Sequence, residues 1–348
     1  MAWINAHIMN LTNANADNAL LCFPHQPDSC PREHRFLVFK VAMYFLMLGT
    51  ILMTVFGNLL VMITISHFKQ LQSPTNLIIL SMALVDCLLG CLIMPFSMVR
   101  WLERCWFLGE IFCQIHSGLD MTLSIASILH LCLVSIDRYL AICKPLSYKT
   151  KVTNGKVAVC IVVIWLFSVT YSFGIVLSKV NVTGLENLLM QASCVGNCAL
   201  IFNLESGVIL SLVAFFIPGA IMSSLYLKIF HVARKQAKIM SERLTVRQNG
   251  GMVVHSAEQR ERKAAKTLGI VMGIFLLCWL PFFIVTLTDP VLNFPTPLDV
   301  FDALVWFGYL NSTFNPLVYG FFYPRFQRAF KIIISKVLHL NNANNLLL

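Results

Sequence analysis

The sequence predicts an all-α membrane protein: a seven-transmembrane helix bundle followed by a short amphipathic eighth helix. Three observations carry that expectation. Of 348 residues, 57% are hydrophobic and 12% charged, where a soluble domain carries roughly 25% charged residues. Seven apolar stretches follow one another, at about 36–66, 74–100, 110–142, 155–178, 203–230, 265–288 and 299–322. Each reaches or approaches the ~20 residues needed to cross a hydrocarbon core. With seven spans, 19 of the 26 Lys and Arg fall on one side, which the positive-inside rule assigns to the cytoplasm. Pro218 within the fifth stretch leaves six or eight spans open, and the alternation of charge favours seven.

In chain order, residues 1–35 form a polar extracellular tail, 36–322 the helical domain, and 323–348 the eighth helix with a short cytoplasmic tail. The tail lacks the apolar core of a cleavable signal peptide, so the first span is expected to act as its own signal anchor. The protein is then a multi-pass protein of the plasma membrane with its N-terminus outside. Two glycosylation sequons, at Asn10 and Asn181, fall outside under this topology, while a third at Asn311 lies within span seven and should stay unmodified. A polar loop is expected over 239–260, punctuated by Asn249-Gly250-Gly251. After Pro324, Phe326, Phe330, Ile333, Ile334, Val337 and Leu338 alternate with Arg328, Lys331 and Lys336, the pattern of a helix lying on the inner leaflet. The net charge of +10 is therefore topological, with the bilayer as its partner and no nucleic acid implied.

Six of the twelve cysteines, Cys22, Cys30, Cys105, Cys113, Cys194 and Cys198, lie on or near the oxidising side, where disulfides persist. Sequence alone leaves all pairings of the six open. No His accompanies them at the spacing of a zinc site.

The intramembrane polar residues carry the chemistry. Asp120 lies deep in span three, where an ionised carboxylate costs roughly 2.5–3.5 kcal/mol. Nothing basic lies near it on its own helix until Arg138, so the compensating cation is expected from outside, as a ligand. Asn58, Asp86, Ser127, Asn311, Ser312 and Asn315 would, if their faces converge, make an oxygen-lined cavity around one carboxylate. A sodium ion suits such a cavity, with Asp86, Ser127, Asn311 and Asn315 as its ligands; a structural hydrogen-bond network is the compatible alternative. Apart from that allosteric ion no cofactor is expected. At the cytoplasmic ends lie Asp137-Arg138-Tyr139, Tyr226, Glu261 and Tyr319. An arginine that pairs with Glu261 or releases it is a two-state switch. Pro281 and Pro316 break spans six and seven where motion would pivot. No nucleophile with a paired base converges with these groups, so no enzyme is expected.

Asn58, Asp86, Asp137-Arg138-Tyr139, Trp165, Pro218, Cys278-Trp279-Leu280-Pro281 and the run Asn315 to Tyr319 resemble the landmarks of rhodopsin-like G-protein-coupled receptors across all seven spans. More narrowly, the runs Ser66 to Leu71, Lys266 to Gly273 and Gly308 to Pro316 resemble trace amine-associated receptors. The resemblance implies an amine receptor in which the ligand ammonium pairs with Asp120. Met121 and Ser124 would line the site from span three, and Trp279, Phe282, Phe283 and Thr286 from span six. Val305, Trp306 and Tyr309 would complete it from span seven. Span five offers Leu210, Ser211 and Ala214 and no acid between Val208 and Tyr226, which implies a small, primary or other monoamine rather than a catechol or a diamine. Family likeness further implies a heterotrimeric G protein of stimulatory or olfactory type and rising cyclic AMP. It also implies the disulfides Cys113–Cys198, Cys22–Cys194 and Cys30–Cys105. Where the family's pattern after span seven has a tryptophan, this chain has Arg325, which keeps a weakly signalling or decoy receptor, or another biogenic-amine receptor, as the alternative. An opsin would need a lysine in span seven, where Tyr309 stands, and a secondary transporter would show repeated halves.

Overall fold

Proline and polar side chains shape the bundle as much as apolar length does. In the computed structural model the described residues are 21–32, 35–192, 194–246, 251–322 and 324–337. At 149, 191–192, 236–238, 240–246, 251–268, 322, 324–325 and 336–337 the backbone alone is described. The long helices are α1 (Leu37–His67), α2 (Pro74–Glu103), α3 (Gly109–Cys143) and α4 (Asn154–Ser178). They continue with α5 (Leu204–Ser211, Leu212–Phe216 and Ile217–Val246), α6 (Gly251–Thr288) and α7 (Leu298–Phe322), and α8 (Pro324–Val337) follows. Six of them carry stretches long and apolar enough to cross a membrane. The remaining one, α7, is diluted by Asn311, Ser312, Thr313 and Asn315 and packs between α6 and α1.

Two helices accommodate a proline by widening rather than breaking. Pro95 and Pro218 have no N–H to give, and in each case a π turn precedes them, Leu89–Ile93 in α2 and Leu212–Phe216 in α5. Pro281 and Pro316 lie inside continuous helices. The segment 239–260, expected as a loop, is largely helical: α5 runs on to Val246 and α6 opens at Gly251. Hydropathy marks where the membrane ends, whereas the Arg, Glu, Gln, Leu, Met and Ala of this segment are good helix formers in water.

The core has two parts. Ile78, Ile79, Met82, Ile125, Leu131, Phe215, Phe275, Trp279 and Phe283 pack α2, α3, α5 and α6 together. Met47, Val85, Leu89, Leu123, Trp306 and Tyr309 do the same for α1, α2, α3 and α7. Lipid-facing positions such as Phe45 and Phe56 of α1 and Val159, Val163 and Leu166 of α4 stay exposed. Apolar surface gains little by leaving lipid, so close packing and hydrogen bonds must hold the helices. Ser81 supplies one such link, with its Oγ 2.9 Å from His130 Nε2 while it accepts from Trp165 Nε1 at 3.2 Å. Thr54 and Thr313 join α1 to α7 at 2.7 Å. In α8, Phe326, Ala329 and Ile332 turn inward and Arg328 and Lys331 outward.

Three disulfides seal the outer end, and two differ from the expected pairing. Cys113–Cys198 joins α3 to the loop before α5 as expected, but the others are Cys22–Cys105 and Cys30–Cys194. The reason is local. The tail folds back on itself at Leu21 and Pro31, and Ser29 pairs with Val195. Cys30 N–H then donates to Val195 O at 2.9 Å, which delivers Cys30 to Cys194 and leaves Cys22 against Cys105. Asn181 also departs from expectation as a glycan carrier. Its side chain is buried and its Nδ2 donates to Ile201 O at 2.7 Å, so in the folded loop that nitrogen has no room for a sugar. Asn10 and the side chains of Glu261 and Arg325 lie outside the described residues.

Candidate functional site

Asp120 stands partly buried in the bundle because α3 packs against α2, α4 and α5. Tyr309 of α7 donates its phenol O–H to Asp120 Oδ2 at 2.7 Å, and Ser124, one turn along α3, donates to Oδ1 at 3.5 Å. Tyr309 is fully buried, and its hydroxyl also lies 3.4 Å from Ser97 Oγ of α2. Ser97 in turn lies 3.5 Å from Nε2 of His116, which sits one turn from Asp120 on the same face of α3. Among the described residues no cation pairs with Asp120. A carboxylate oriented by a buried phenol and left with an open lone pair accepts a cationic donor.

Of the aromatic residues, Tyr309 touches this acid, and a cluster of rings joins α5 and α6. Trp279 lies 6.0 Å from Phe282 and 5.9 Å from Phe283, and Phe283 stacks on Phe215 of α5 at 5.0 Å. Trp306 meets Tyr309 edge-on at 5.6 Å. The indole of Trp279 reaches α7 because residue 308 is glycine: a Cβ there would fall 2.8 Å from a Trp279 ring carbon. Of the other expected site residues, Met121 packs into the core beside Trp279 and Phe283. Val305 packs on the α1–α2 side, and the Thr286 hydroxyl is taken up by Phe282 O at 2.9 Å. Ser211 Oγ, Trp279 Nε1 and Trp306 Nε1 are buried polar atoms with no hydrogen-bond partner among the described residues. Sequence reasoning missed Ser97 and His116. Both are polar residues at membrane depth, and His116 sits four positions before Asp120, so the signal was present.

Below this site, Asp86 Oδ1 accepts from Ser127 at 2.9 Å and from Ser312 at 2.7 Å, and Oδ2 accepts from Asn315 at 2.7 Å. Asn58 donates to Thr54 O and Ser312 O while its Oδ1 has no partner among the described residues, nor has Nδ2 of Asn311. Asn311 is therefore near the cluster but does not bond Asp86. The oxygens of one carboxylate, two hydroxyls and a side-chain amide are hard donors that fit a hard monovalent cation or water. Among the described residues no group of three or more His, Cys, Asp or Glu gathers as a metal cluster.

At the C-terminal end of α3 Arg138 holds the carboxylate of its neighbour, with NH2 2.6 Å from Asp137 Oδ2. Thr75 of α2 and Tyr148, in the short helix Pro145–Lys151, both donate to Asp137 at 2.8 Å. Burial raises the Tyr148 phenol above its ordinary value, so it remains a donor at neutral pH. Thr75 and Tyr148 were not foreseen, because a tyrosine in a short loop gives no periodic signal. Tyr226 of α5 lies against Gly269 of α6, and Tyr319 reaches Met82 Sδ at 3.7 Å and packs on Phe326.

A seven-helix bundle with a carboxylate at its centre and an arginine–carboxylate pair at one end has the architecture of a multi-pass membrane receptor. Residues 57–319 match the family model for the 7 transmembrane receptor (rhodopsin family). The chain is 48% identical over 324 residues to trace amine-associated receptor 4 of Rattus norvegicus, covering 93% of each. It is 49% identical over 326 residues to trace amine-associated receptor 2 of the same organism, covering 93% of this chain and 94% of the relative. Against trace amine-associated receptor 1 of Homo sapiens the identity is 47% over 308 residues, 88% of this chain and 91% of the relative. The chain belongs to the trace amine-associated receptors of the rhodopsin family. That family consists of G-protein-coupled receptors of the plasma membrane rather than enzymes, with amine-type ligands in general.

Proposed function

We propose that this receptor binds a small monoamine whose ammonium pairs with Asp120, and that it signals through a stimulatory or olfactory-type G protein to raise cyclic AMP. The observation that carries the reading is the Tyr309–Asp120 hydrogen bond at a place where no cation among the described residues neutralises the acid. The nearby rings offer an ammonium cation–π contact in addition to charge pairing. The N-terminus is extracellular in this reading, which sets the pocket toward the outside and Arg138 toward the G protein. Ligand entry repacks the Trp279 cluster, α6 pivots at Pro281, and Arg138 exchanges its hold on Asp137 for the cytoplasmic pocket. The ligand shifts this equilibrium only by its differential affinity for the two states. A sodium ion held by Asp86, Ser127 and Ser312, with Asn58 and Asn311 as further donors, would favour the resting arrangement.

The test is cyclic AMP accumulation in cells expressing wild type or Asp120→Asn, challenged with primary and tertiary monoamines while surface expression is checked. A monoamine response that disappears in a variant still reaching the surface is expected. A response that persists in that variant would remove Asp120 from ligand binding.

A further inference from the structure

Above the pocket, the mouth of the bundle carries charges that the amine reading does not use. Asp302 and Asp299 of α7 face Arg100 and Arg104 of α2 and Arg35 of the segment before α1. Arg100 NH2 lies 3.4 Å from Asp302 Oδ1, and Arg104 lies 3.4 Å from Asp302 Oδ2 and 2.8 Å from Asp299 Oδ1. Arg35 also pairs with Asp299. Both partners of the Arg100–Asp302 pair are about five-sixths buried, with 16% of each side chain exposed.

The geometry points to Arg100 as a specificity-determining residue: with Arg104 it holds Asp302 and gives the mouth its surplus of positive charge, so that among the described residues Asp120 is the pocket carboxylate open to a ligand and the receptor is restricted to ligands with a single ammonium. This inference rests on the amine-receptor reading above. Asp302 precedes Tyr309 by two helical turns on the same face of α7, roughly 10 Å along the axis. Arg100 sits one turn beyond Ser97, whose hydroxyl lies 3.4 Å from that of Tyr309. A column therefore runs from Asp120 through Tyr309 and Ser97 to the Arg100–Asp302 pair. A linear diamine of five to eight carbons separates its nitrogens by roughly 8 to 11 Å at ordinary bond lengths. Its second ammonium would arrive at Asp302.

What it meets there is an excess of positive charge, three guanidinium groups against two carboxylates among the described residues. Partial burial weakens solvent screening, so the repulsion is felt at short range. Arg100 is also fixed from the side, since its NH1 donates at 3.3 Å to the carbonyl of Cys198, which is disulfide-bonded to Cys113 of α3. The 3.4 Å contact to Asp302 is longer than a tight charge-assisted bond of about 2.7–2.9 Å. Removing Arg100 leaves Asp302 with Arg104, and Asp299 with Arg35, Arg104 and the Trp101 indole N–H, so the mouth keeps its other ties while two guanidinium groups then face two carboxylates.

The experiment compares linear diamines of five to eight carbons with the monoamines of the same length, by cyclic AMP, in wild type, Arg100→Gln and the Arg100→Gln/Asp302→Asn double variant. Surface expression is measured for each. Arg100→Gln is expected to lower the half-effective concentration of at least one diamine about ten-fold or more, leave the matching monoamine within about three-fold, and lose that gain in the double variant. Arg100→Ala replaces the glutamine variant if that one fails to reach the surface. The inference is overturned if diamine potency does not change, if monoamine and diamine improve together, if the gain survives loss of Asp302, or if wild type already prefers diamines. A wild type silent to every monoamine overturns the amine-receptor reading itself, and this inference with it; a wild type that answers monoamines while Arg100→Gln gains nothing overturns the inference alone.

Discussion

At the scale of single residues, the proposed function rests on hydrogen bonds to two carboxylates, Asp120 and Asp137, that different helices orient. Tyr309 aims Asp120 through a single O–H. A hydrogen bond to a charged group contributes about 1.5–3 kcal/mol, so Tyr309→Phe is expected to weaken a monoamine response roughly ten- to a hundred-fold in half-effective concentration, with surface expression unchanged. Dose–response curves for the two proteins check it. Asp137 is held by Thr75, Tyr148 and Arg138. Tyr148→Phe removes one donor and leaves a buried carboxylate oxygen short of a partner, a cost of about 1–3 kcal/mol. A lower melting temperature of the solubilised receptor is the expected outcome. Because the folded-state phenol titrates above its ordinary value, wild type and variant should show the same pH dependence of melting through the neutral range.

At the scale of helices, close approach is as consequential as hydrogen bonding. Gly308 admits the Trp279 indole against α7. A methyl group there must displace a buried ring that cannot swing aside, and overpacking of this kind costs about 1–3 kcal/mol. Gly308→Ala is thus expected to lower the melting temperature, and an unchanged value would mean the indole has space to move. The same elements decide what a reader of the sequence could see. Runs of apolar residues located all seven spans, and Asp86, Asp120 and Asp137 were legible because a carboxylate at membrane depth needs a reason. The π turns before Pro95 and Pro218 were not legible, since a proline announces only a missing donor and not how the helix absorbs it. Nor were the cytoplasmic extensions of α5 and α6, which hydropathy does not mark. The tail's disulfides were misassigned because pairing follows a backbone contact between Cys30 and Val195 that has no trace in residue spacing. Arg100 and Asp302 were passed over for another reason. Each looks ordinary alone, and only the bundle sets them in one column above Asp120.

At the scale of the whole molecule, three polar layers are stacked along one axis: the ionic mouth with Asp120 beneath it, the Asp86 cluster, and Asp137 with Arg138. The middle layer links the other two, since α7 contributes Tyr309 above and Ser312 and Asn315 beside Asp86. If sodium occupies that layer, monoamine potency in wild type should fall as sodium replaces a large organic cation at constant ionic strength. In Asp86→Asn the same exchange should leave the curve in place, and a curve that still moves would locate the ion elsewhere. The proportions of α6 have a mechanical meaning. Trp279 stands two residues from Pro281, while the helix continues unbroken back to Gly251. That arm of thirty residues is roughly 45 Å long at 1.5 Å per residue, so a tilt of about ten degrees carries its end roughly 8 Å. In the proposed activation the receptor would act as a lever with its short arm at Trp279. A displacement too small to resolve at the indole becomes a gap wide enough for a partner's helix on the other side of the membrane, and a probe at the inner end of α6 would register a ligand that a probe beside the pocket barely feels.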